Sequence, residues 1–467
     1  MIVKQLYTNC LAEAAYYIES DGEAAIIDPL RETDPYLEIL KEHGSKLKYV
    51  FETHFHADFV SGHIDLAAKT GARIVYGPQA TTSYEVINAR DGEVFKLGKV
   101  SIKALHTPGH TLESTCYLLL DEHGNEYALF SGDTLFVGDV GRPDLLDGFM
   151  TKEELAGMMY ESLNNKIKPL NDAVILYPAH GPGSACGKNI GKETWSTIGA
   201  QKATNYALQE MTKEEFIAKV TAGLTPPPRY FFEDARINKH GYENIDDVIT
   251  NNSIALPVKD FKNALNNGAL ILDTRHQDNF EKGFIKGSIN IGLDGTFAVW
   301  VGTIIDIEQP LILVCDEGKE QETILRLARV GYEKVVGYLE GGMKNWIVKG
   351  NAVDTIKSIE PNELAPHAGK ENEMILDVRR IGEVEGGHVK GASNISLTDL
   401  SANLDLLDKS KPLYVHCAGG YRSMIAASIL KANGFERVIN VHGGWGKIKT
   451  TNIPIETGTP SNVVPNI

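Results

Sequence analysis

Two histidines and an aspartate lie within five positions near the N-terminus: His54, His56 and Asp58. Their stretch follows an apolar, strand-like run over 47–51 and precedes a helical pattern over 64–69 that Gly71 closes. We therefore expect a strand-to-helix loop. Imidazole and carboxylate groups crowded into one loop are costly to bury unpaired, and a metal ion is the usual reason for such a cluster. The loop thus predicts a metal site, the alternative being a polar loop with solvated histidines.

Three later segments share one pattern, in which an apolar run is followed by a Gly- or Pro-containing turn that carries His or Asp. The turns contain, in order, His110, Asp133 and His180. Loops that follow successive strands can present their side chains at one edge of a sheet sandwich. We therefore expect these three residues to converge on the first loop.

Size and charge exclude several functions. A chain of 467 residues exceeds a single core and suggests about three domains. The net charge of -16 argues against nucleic acid or an anionic membrane surface as the main partner. The sequence shows neither a secretory signal pattern nor an apolar run long enough to span a bilayer. Five scattered cysteines fit a reducing compartment, so we expect a cytoplasmic protein. A homo-oligomer is left open.

The C-terminal half contains an internal repeat. Asp273-Thr-Arg275 recurs as Asp377-Val-Arg379, and 283–291 recurs as 387–395 at the same offset. A repeat this long indicates two copies of a whole domain, each alternating strands and helices as a small parallel-sheet domain does. A proline-rich run at 225–229 marks the end of the metal domain, followed by a connector. The predicted domains are 1–253, 254–353 and 354–467.

The second copy carries a cysteine in an anion cradle. Cys417 ends a strand-like run and is followed by Ala-Gly-Gly-Tyr, Arg422 and a helical run from 424 to 432. Loop N–H groups and a helix N-terminus favour a thiolate or a persulfide anion, and Arg422 adds positive charge. The first copy keeps a cysteine, Cys315, but has Glu320 in place of the arginine. Together with Asp316 and Glu317 this carboxylate is expected to raise the pKa of the Cys315 thiol and to repel anionic donors, so the first copy is predicted to be degenerate.

The metal loops resemble the metallo-β-lactamase fold, whose motif is His-x-His-x-Asp-His followed by later His, Asp and His residues. Phe59 stands where the dinuclear hydrolases of this fold have a histidine that ligates their second metal. A benzyl group cannot coordinate, so a single metal is the simpler assignment. The loops over 52–58, 105–111, 130–136 and 138–144 resemble the persulfide dioxygenase branch in particular.

This resemblance implies a mononuclear non-haem Fe(II) held by His54, His110 and Asp133, with zinc as the alternative metal. A 2-His-1-carboxylate triad leaves open positions for O2 and a substrate sulfur. The remaining candidates are assigned to orientation or substrate binding rather than to the iron. His56, Asp58 and His180 are expected to orient ligands or substrate, and Arg142 and Lys188 to hold the anionic part of a thiol carrier. Alternatively, His56 is a fourth ligand in a zinc hydrolase, and Arg142 is a surface arginine.

Cys417 and Arg422, in the spacing Cys-x-x-Gly-x-Arg-Ser, resemble the rhodanese family. The expected architecture is a metallo-β-lactamase αββα sandwich followed by two rhodanese-like α/β domains. The expected function is oxidation of a small thiol persulfide with O2 to sulfite and thiol, coupled to sulfur transfer through Cys417 between persulfide or thiosulfate and sulfite. The alternatives are a zinc thioester hydrolase of the glyoxalase II type with sulfurtransferase domains, and a non-catalytic sulfur carrier or sensor.

Overall fold

A computed structural model describes residues 1–145, 149–224 and 226–460 and the strand Asn462–Val463. The contacts between Cα atoms divide the chain into an N-terminal unit, Met1–Val248 with Leu327–Tyr332, and a C-terminal unit, Ile249–Arg326 with Glu333–Ile467. Thr225, where the predicted proline-rich boundary begins, lies outside the described residues. Within the described ranges, no helix combines the length and apolar character needed to cross a membrane.

The N-terminal unit contains two six-stranded sheets. The first has the order β1-β2-β3-β4-β5-β6: β1 Ile2–Thr8, β2 Glu13–Ser20, β3 Glu23–Ile27, β4 Lys46–Phe51, β5 Arg73–Tyr76 and β6 Ile87–Asn88. The second has the order β12-β11-β10-β9-β8-β7: β7 Val94–Leu97, β8 Val100–His106, β9 Thr115–Leu120, β10 Glu126–Gly132, β11 Ile175–Pro178 and β12 Ser196–Thr197. The helices up to residue 252 are α1 Asp34–His43, α2 His63–Thr70, α3 Lys152–Ser162, α4 Ile198–Thr204, α5 Lys213–Thr221, α6 Tyr230–His240 and α7 Ile245–Asn252.

Three apolar layers hold these elements together. The central layer packs the two sheets face to face, with Tyr16 and Phe51 of the first sheet clustering with Tyr117 and Phe130 of the second. An outer layer joins the first sheet to α1 and α2, and another joins the second sheet to α3, α4 and α5. Strand residues alternate between the central layer and an outer one, because successive side chains point to opposite faces. This confirms the predicted αββα sandwich.

The candidate metal loops all follow strand ends. The loop with His54 follows β4, and helix α2 then ends at Gly71 in the left-handed conformation, as predicted. His110, Asp133 and His180 follow β8, β10 and β11. Strand β10 pairs in parallel with β11 and antiparallel with β9, which is antiparallel to β8. The carboxyl ends of β8, β10 and β11 therefore share one edge of the second sheet.

The rest of the chain forms two parallel sheets of the rhodanese-like repeats. The first sheet, in the order β13-β17-β16-β14-β15, contains β13 Ala255–Leu256, β14 Leu270–Asp273, β15 Ile289–Asn290, β16 Leu311–Val314 and β17 Val335–Leu339. The second, in the order β18-β23-β22-β19-β21-β25, contains β18 Lys357–Ile359, β19 Met374–Asp377, β21 Ser393–Asn394, β22 Leu413–His416, β23 Val438–Val441 and β25 Asn462–Val463. A separate pair joins β20 His388–Val389 to β24 Ile455–Glu456. The helices are α8 Val258–Asn266, α9 Gln277–Phe280, α10 Phe297–Ile304, α11 Glu320–Ala328, α12 Gly342–Val348, α13 Pro361–Leu364, α14 Ile381–Val384, α15 Tyr421–Ala432 and α16 Gly444–Ile448.

The sequence repeat reappears as a repeated set of buried contacts. Arg275 pairs with Asp273 at 2.6 Å, and in the second copy Arg379 pairs with Asp377 at 2.6 Å. In both copies an asparagine amide, of Asn290 and its counterpart at 394, donates to the backbone carbonyls of that Asp and Arg. Buried charges are tolerated when they are paired and hydrogen-bonded, so these residues form the same polar cluster at the end of β14 in the first copy and of β19 in the second.

Helix α6, in the predicted connector, fixes the first metal loop. The buried amide of Asn238 donates to the carbonyls of His56 and Phe59, both at 2.8 Å, and its oxygen accepts from the Ser61 N–H at 2.9 Å. Three backbone groups of the loop therefore depend on one side chain from a distant part of the sequence.

We expect Asn238→Ala to lower the free energy of unfolding by about 2–4 kcal/mol, because it leaves three buried backbone groups without their partner. Urea unfolding of the full chain measures this effect. Asn165→Ala, which removes an exposed asparagine from the same unit, is the matched control and should change stability by no more than about 0.5 kcal/mol. Equal stability of the two variants would show that the three hydrogen bonds of Asn238 to the first metal loop contribute nothing to stability.

Candidate metal centre and sulfur-transfer site

The structure brings His54, His110 and Asp133 together, as the sequence predicts. One ligand atom from each lies within 4.8 Å of the others, and all three residues are buried. The Nε2 atoms of His54 and His110 lie 3.9 and 3.4 Å from Asp133 Oδ2. Donor atoms bound about 2 Å from one metal ion lie roughly 3–4 Å apart, so the spacing suits a common ion.

The second ring nitrogen of each histidine is already engaged. Thr53 Oγ1 donates to the Asp28 carboxylate and accepts from His54 Nδ1 at 2.9 Å. His110 Nδ1 donates to the Arg142 carbonyl at 2.8 Å. Both Nε2 atoms and both Asp133 oxygens find no hydrogen-bond partner among the described residues. Buried polar atoms left in this way fit a metal site, since ligating histidines usually donate their other N–H to a neighbour.

Burial also affects the pKa of His54. Desolvation lowers the pKa of His54 well below its usual value, and the neighbouring imidazoles of His56, His110 and His180 lower it further. A neutral imidazole is the form that binds a metal.

A second buried group lies on the other side of Asp133. Asp58, His180 and Cys186 offer ligand atoms within 4.8 Å of one another. His180 Nε2 lies 3.4 Å from Asp58 Oδ2 and 3.6 Å from Asp133 Oδ1, while its Nδ1 donates to the Ala12 carbonyl. Asp133 thus presents one oxygen to each group. The sequence names Asp58 and His180 as neighbours of the metal but misses Cys186, which follows His180 closely in a Gly-rich loop.

His56 belongs to a third buried group, with Asp28 and Glu52, and its ring lies 4.3 Å from that of His54 between centroids. Its Nε2 lies 3.1 Å from Asp28 Oδ1 and 3.5 Å from Glu52 Oε2, and the Phe59 ring packs on it at 4.3 Å between centroids. These side chains are almost completely buried. Sequence reasoning missed Asp28 and Glu52, for which the only signal was a carboxylate at the end of a strand.

The predicted substrate anchors already have protein partners. Arg142 is buried rather than on the surface, and it bonds the Asp144 carboxylate at 2.6 and 2.8 Å and the Ala185 carbonyl at 3.2 Å. Lys188 Nζ donates to the carbonyls of Lys219 and Ala222. Their role in substrate binding stays a prediction, whereas the Arg142 carbonyl has an observed role in holding His110.

In the C-terminal unit, Cys417 follows β22 and immediately precedes the loop that opens α15. The Gly420 N–H donates to Cys417 Sγ at 3.1 Å, and Gly420 has a φ of 110°, which favours glycine at this turn. The predicted cradle therefore supplies at least one N–H to the sulfur. Arg422 lies close enough for the Cys417 charge to influence its pKa.

Arg422 is also engaged by a residue that the sequence did not reveal. Its two terminal nitrogens donate to the two oxygens of Glu383, both at 2.7 Å. Glu383 is at the third position of α14, four residues after the Arg379 that pairs with Asp377. A bidentate pair of this kind neutralises much of the positive charge that the loop would otherwise offer to an anion.

In the first rhodanese-like copy the pKa of the cysteine is raised, as predicted, although the main cause differs from the predicted one. Burial raises the pKa of the Cys315 thiol to about 11, a rise that its hydrogen-bond contacts with Thr274 and Thr323 reduce and that the Glu320 carboxylate increases. The predicted carboxylates at 316 and 317 are exposed. Desolvation rather than the carboxylates is therefore the larger cause.

Comparison with known proteins gives the families of these parts. Residues 8–180 match the model of the metallo-beta-lactamase superfamily, and residues 257–349 and 360–451 each match the rhodanese-like domain. A probable hydroxyacylglutathione hydrolase, glo2, of Schizosaccharomyces pombe is 34% identical over 36% of this chain and 62% of its own length. The hydroxyacylglutathione hydrolase of Tolumonas auensis is 35% identical over 35% of this chain and 60% of its own length. The chain thus spans less than two thirds of these curated relatives.

A solved structure covers more of the chain. The crystal structure of a metallo-beta-lactamase from Staphylococcus aureus subsp. aureus COL is 34% identical, with a TM-score of 0.65, and covers 73% of this chain and 98% of its own. The predicted fold class is confirmed. The chain belongs to the metallo-β-lactamase superfamily and carries two rhodanese-like domains after its metallo-β-lactamase-like domain.

Proposed function

We propose that this protein is a mononuclear iron persulfide dioxygenase coupled to a sulfurtransferase. In the proposed reaction a thiol persulfide, R–S–SH, reacts with O2 and water to give the thiol, sulfite and two protons. The observation that carries the proposal is the triad of His54, His110 and Asp133, whose metal-facing atoms have no other partner among the described residues. Phe59, fully buried in the first loop, supports one metal rather than two.

Fe(II), when bound by this triad, supplies open positions at which O2 and a substrate sulfur can be activated side by side. The chain's own residues orient and enclose the site. Thr53 and the Arg142 carbonyl fix the two imidazole rings, so that both Nε2 atoms point inward. The near-complete burial of the three ligands keeps bulk water away.

His180 lies beside the triad, where it can orient a substrate. Its Nε2 lies 3.4 Å from Asp58 Oδ2 and 3.6 Å from Asp133 Oδ1, and its Nδ1 donates to the Ala12 carbonyl. The ring is therefore held next to the proposed iron ligands by contacts on both of its nitrogens.

Cys417 carries the sulfur-transfer half of the proposal. Its thiolate accepts a sulfane sulfur from a persulfide or thiosulfate and passes it to an acceptor such as sulfite, with the loop N–H groups stabilising the anion in between. Thiol persulfide, O2, sulfite and thiosulfate are thus the proposed small-molecule partners, in a cytoplasmic setting.

We expect His110→Ala and Asp133→Asn each to lose bound iron and to lower O2 consumption with glutathione persulfide at least ~100-fold, because each removes a ligand. Iron analysis and an oxygen electrode measure the two effects. His123→Ala, which changes an exposed turn histidine, is the control and should retain both. Undiminished O2 consumption by the ligand variants would remove the triad from the reaction.

We expect Cys417→Ser to abolish sulfur transfer and Cys315→Ser to leave it nearly intact. With a pKa of about 11, Cys315 is thiolate to roughly one part in a thousand at pH 8, and this fraction rises only as the pH approaches 11. Alkylation by iodoacetamide followed by peptide mass spectrometry should therefore modify Cys315 slowly at pH 8. A loss of transfer in Cys315→Ser as severe as in Cys417→Ser would contradict the proposed division between the two copies.

A two-metal thioester hydrolase is the second candidate, and one observation favours it. Asp58, His180 and Cys186 form a second ligand-like group, and Asp133 presents its other oxygen to it. The curated relatives named hydroxyacylglutathione hydrolases agree with this reading. Metal counting separates the two candidates: one iron per chain with O2 consumption supports the dioxygenase, and two zinc ions with hydrolysis of a glutathione thioester and no O2 consumption would replace it.

A further inference from the structure

The cavity at Cys417 is built by both rhodanese-like domains. Its volume is about 360 Å³, and its lining combines the active-site loop of the second domain with two residues of the first: Cys417, Gly419, Tyr421, Arg422, Thr296 and Trp300. Thr296 immediately precedes helix α10 and Trp300 lies in its first turns. The first rhodanese-like domain thus forms one wall of its neighbour's pocket.

The same domain holds the active-site loop in place. The Tyr421 hydroxyl donates to the Gly292 carbonyl at 2.6 Å, and its ring lies against Gly295, where a Cβ would collide with it. Farther along α15, the Ser428 hydroxyl accepts from the Asn290 N–H at 3.0 Å. Tyr421 lies between Gly420, which bonds the Cys417 sulfur, and Arg422. The wall and the reactive loop therefore have a fixed mutual position.

The chemistry of the cavity fits an organic donor better than a small inorganic anion. A volume of about 360 Å³ is in the range of pockets for small organic ligands. The indole of Trp300 and the ring of Tyr421 offer apolar surface beside the sulfur. Arg422, the cation facing this loop, is already paired with both oxygens of Glu383. A free dianion would have to compete with that carboxylate, whereas the sulfane end of an organic persulfide would not.

We propose that Thr296 and Trp300, supplied by the first rhodanese-like domain, select an organic persulfide with a bulky R group as the sulfur donor of Cys417, in preference to thiosulfate. This inference rests on the sulfur-transfer half of the proposed function and names its donor class. The two residues are specificity determinants that contact the R group.

The transfer step involves no external oxidant. The Cys417 thiolate attacks the outer sulfur of R–S–SH. A new Sγ–S bond forms, and the S–S bond of the donor breaks. The electron pair of that bond leaves on R–S⁻, and the hydrogen stays on the transferred sulfur, so that Cys417–S–SH and R–S⁻ are the products. The Trp300 wall is where R is held during this displacement.

The experiment measures donor specificity without oxygen, using the full chain, cyanide as a common acceptor and three donors: glutathione persulfide, inorganic hydrogen persulfide and thiosulfate. Hydrogen persulfide has the same S–S bond as the organic donor but no R group. For the wild type we expect kcat/KM to be about tenfold or more higher with glutathione persulfide than with either inorganic donor. An equal or higher value with an inorganic donor would overturn the proposal without any variant.

We expect Trp300→Ala to raise KM for glutathione persulfide about tenfold, because the contact with R is lost. The kcat with this donor, and kcat/KM with each of the two inorganic donors, should change less than about twofold. Trp300→Phe should restore most of the affinity for glutathione persulfide. Thr296→Val, which keeps the side-chain volume, should also raise KM for this donor. Thr303→Ala, farther along α10 with its hydroxyl bonded within the helix, is the matched control and should match the wild type.

A uniform loss with all three donors, or no change in any variant that retains the wild-type melting temperature, would overturn the assignment. O2 consumption by the iron-loaded protein is measured separately. If the wild type consumes no O2 but shows the donor preference and its loss in Trp300→Ala, the dioxygenase proposal fails and the donor assignment stands.

Discussion

Asp133 faces two groups of potential ligands at once, with one carboxylate oxygen toward His54 and His110 and the other toward His180. A buried carboxylate among imidazoles is stable only if its charge is compensated. Neither oxygen of Asp133 has a hydrogen-bond partner among the described residues, so a metal cation is the charge partner that we propose for it. Such a cation needs ligands from several loops held to within a fraction of an ångström, and the loops that follow β4, β8 and β10 bring His54, His110 and Asp133 together.

Several side chains around the candidate metal centre are held by groups outside their own loops. The Arg142 carbonyl orients His110, the Ala12 carbonyl orients His180, and Asn238 secures the loop that carries His56. Each of these tethers comes from another part of the fold. A rigid scaffold of this kind limits the motion of the imidazoles, so a bound metal meets a geometry that is already formed.

The C-terminal half shows how one scaffold supports two different cysteine environments. Both copies keep the same buried Asp–Arg pair, and both place a cysteine at the end of a buried parallel strand. At Cys315 desolvation raises the pKa of the thiol to about 11, whereas the Cys417 sulfur accepts an N–H from its loop and opens on a cavity. The first copy contributes to the second whatever the reactivity of Cys315, since its helix α10 lines the second copy's pocket.

The sequence by itself determined the two repeated domains and the convergence of the loops that carry His54, His110 and Asp133, whereas the sandwich and the choice of these three as ligands followed from the resemblance of the loops to a known family. Periodic apolar runs reveal strands, and polar residues just after strand ends reveal which loops meet at a sheet edge. Only the tertiary structure decided which neighbour each side chain faces: Cys186 lies beside Asp58 and His180, and Arg422 is paired with Glu383. These contacts join residues far apart in the chain, and packing rather than local spacing sets them. Trp300 is the clearest case, because nothing in its own segment indicates that it lines a pocket around a cysteine in another domain.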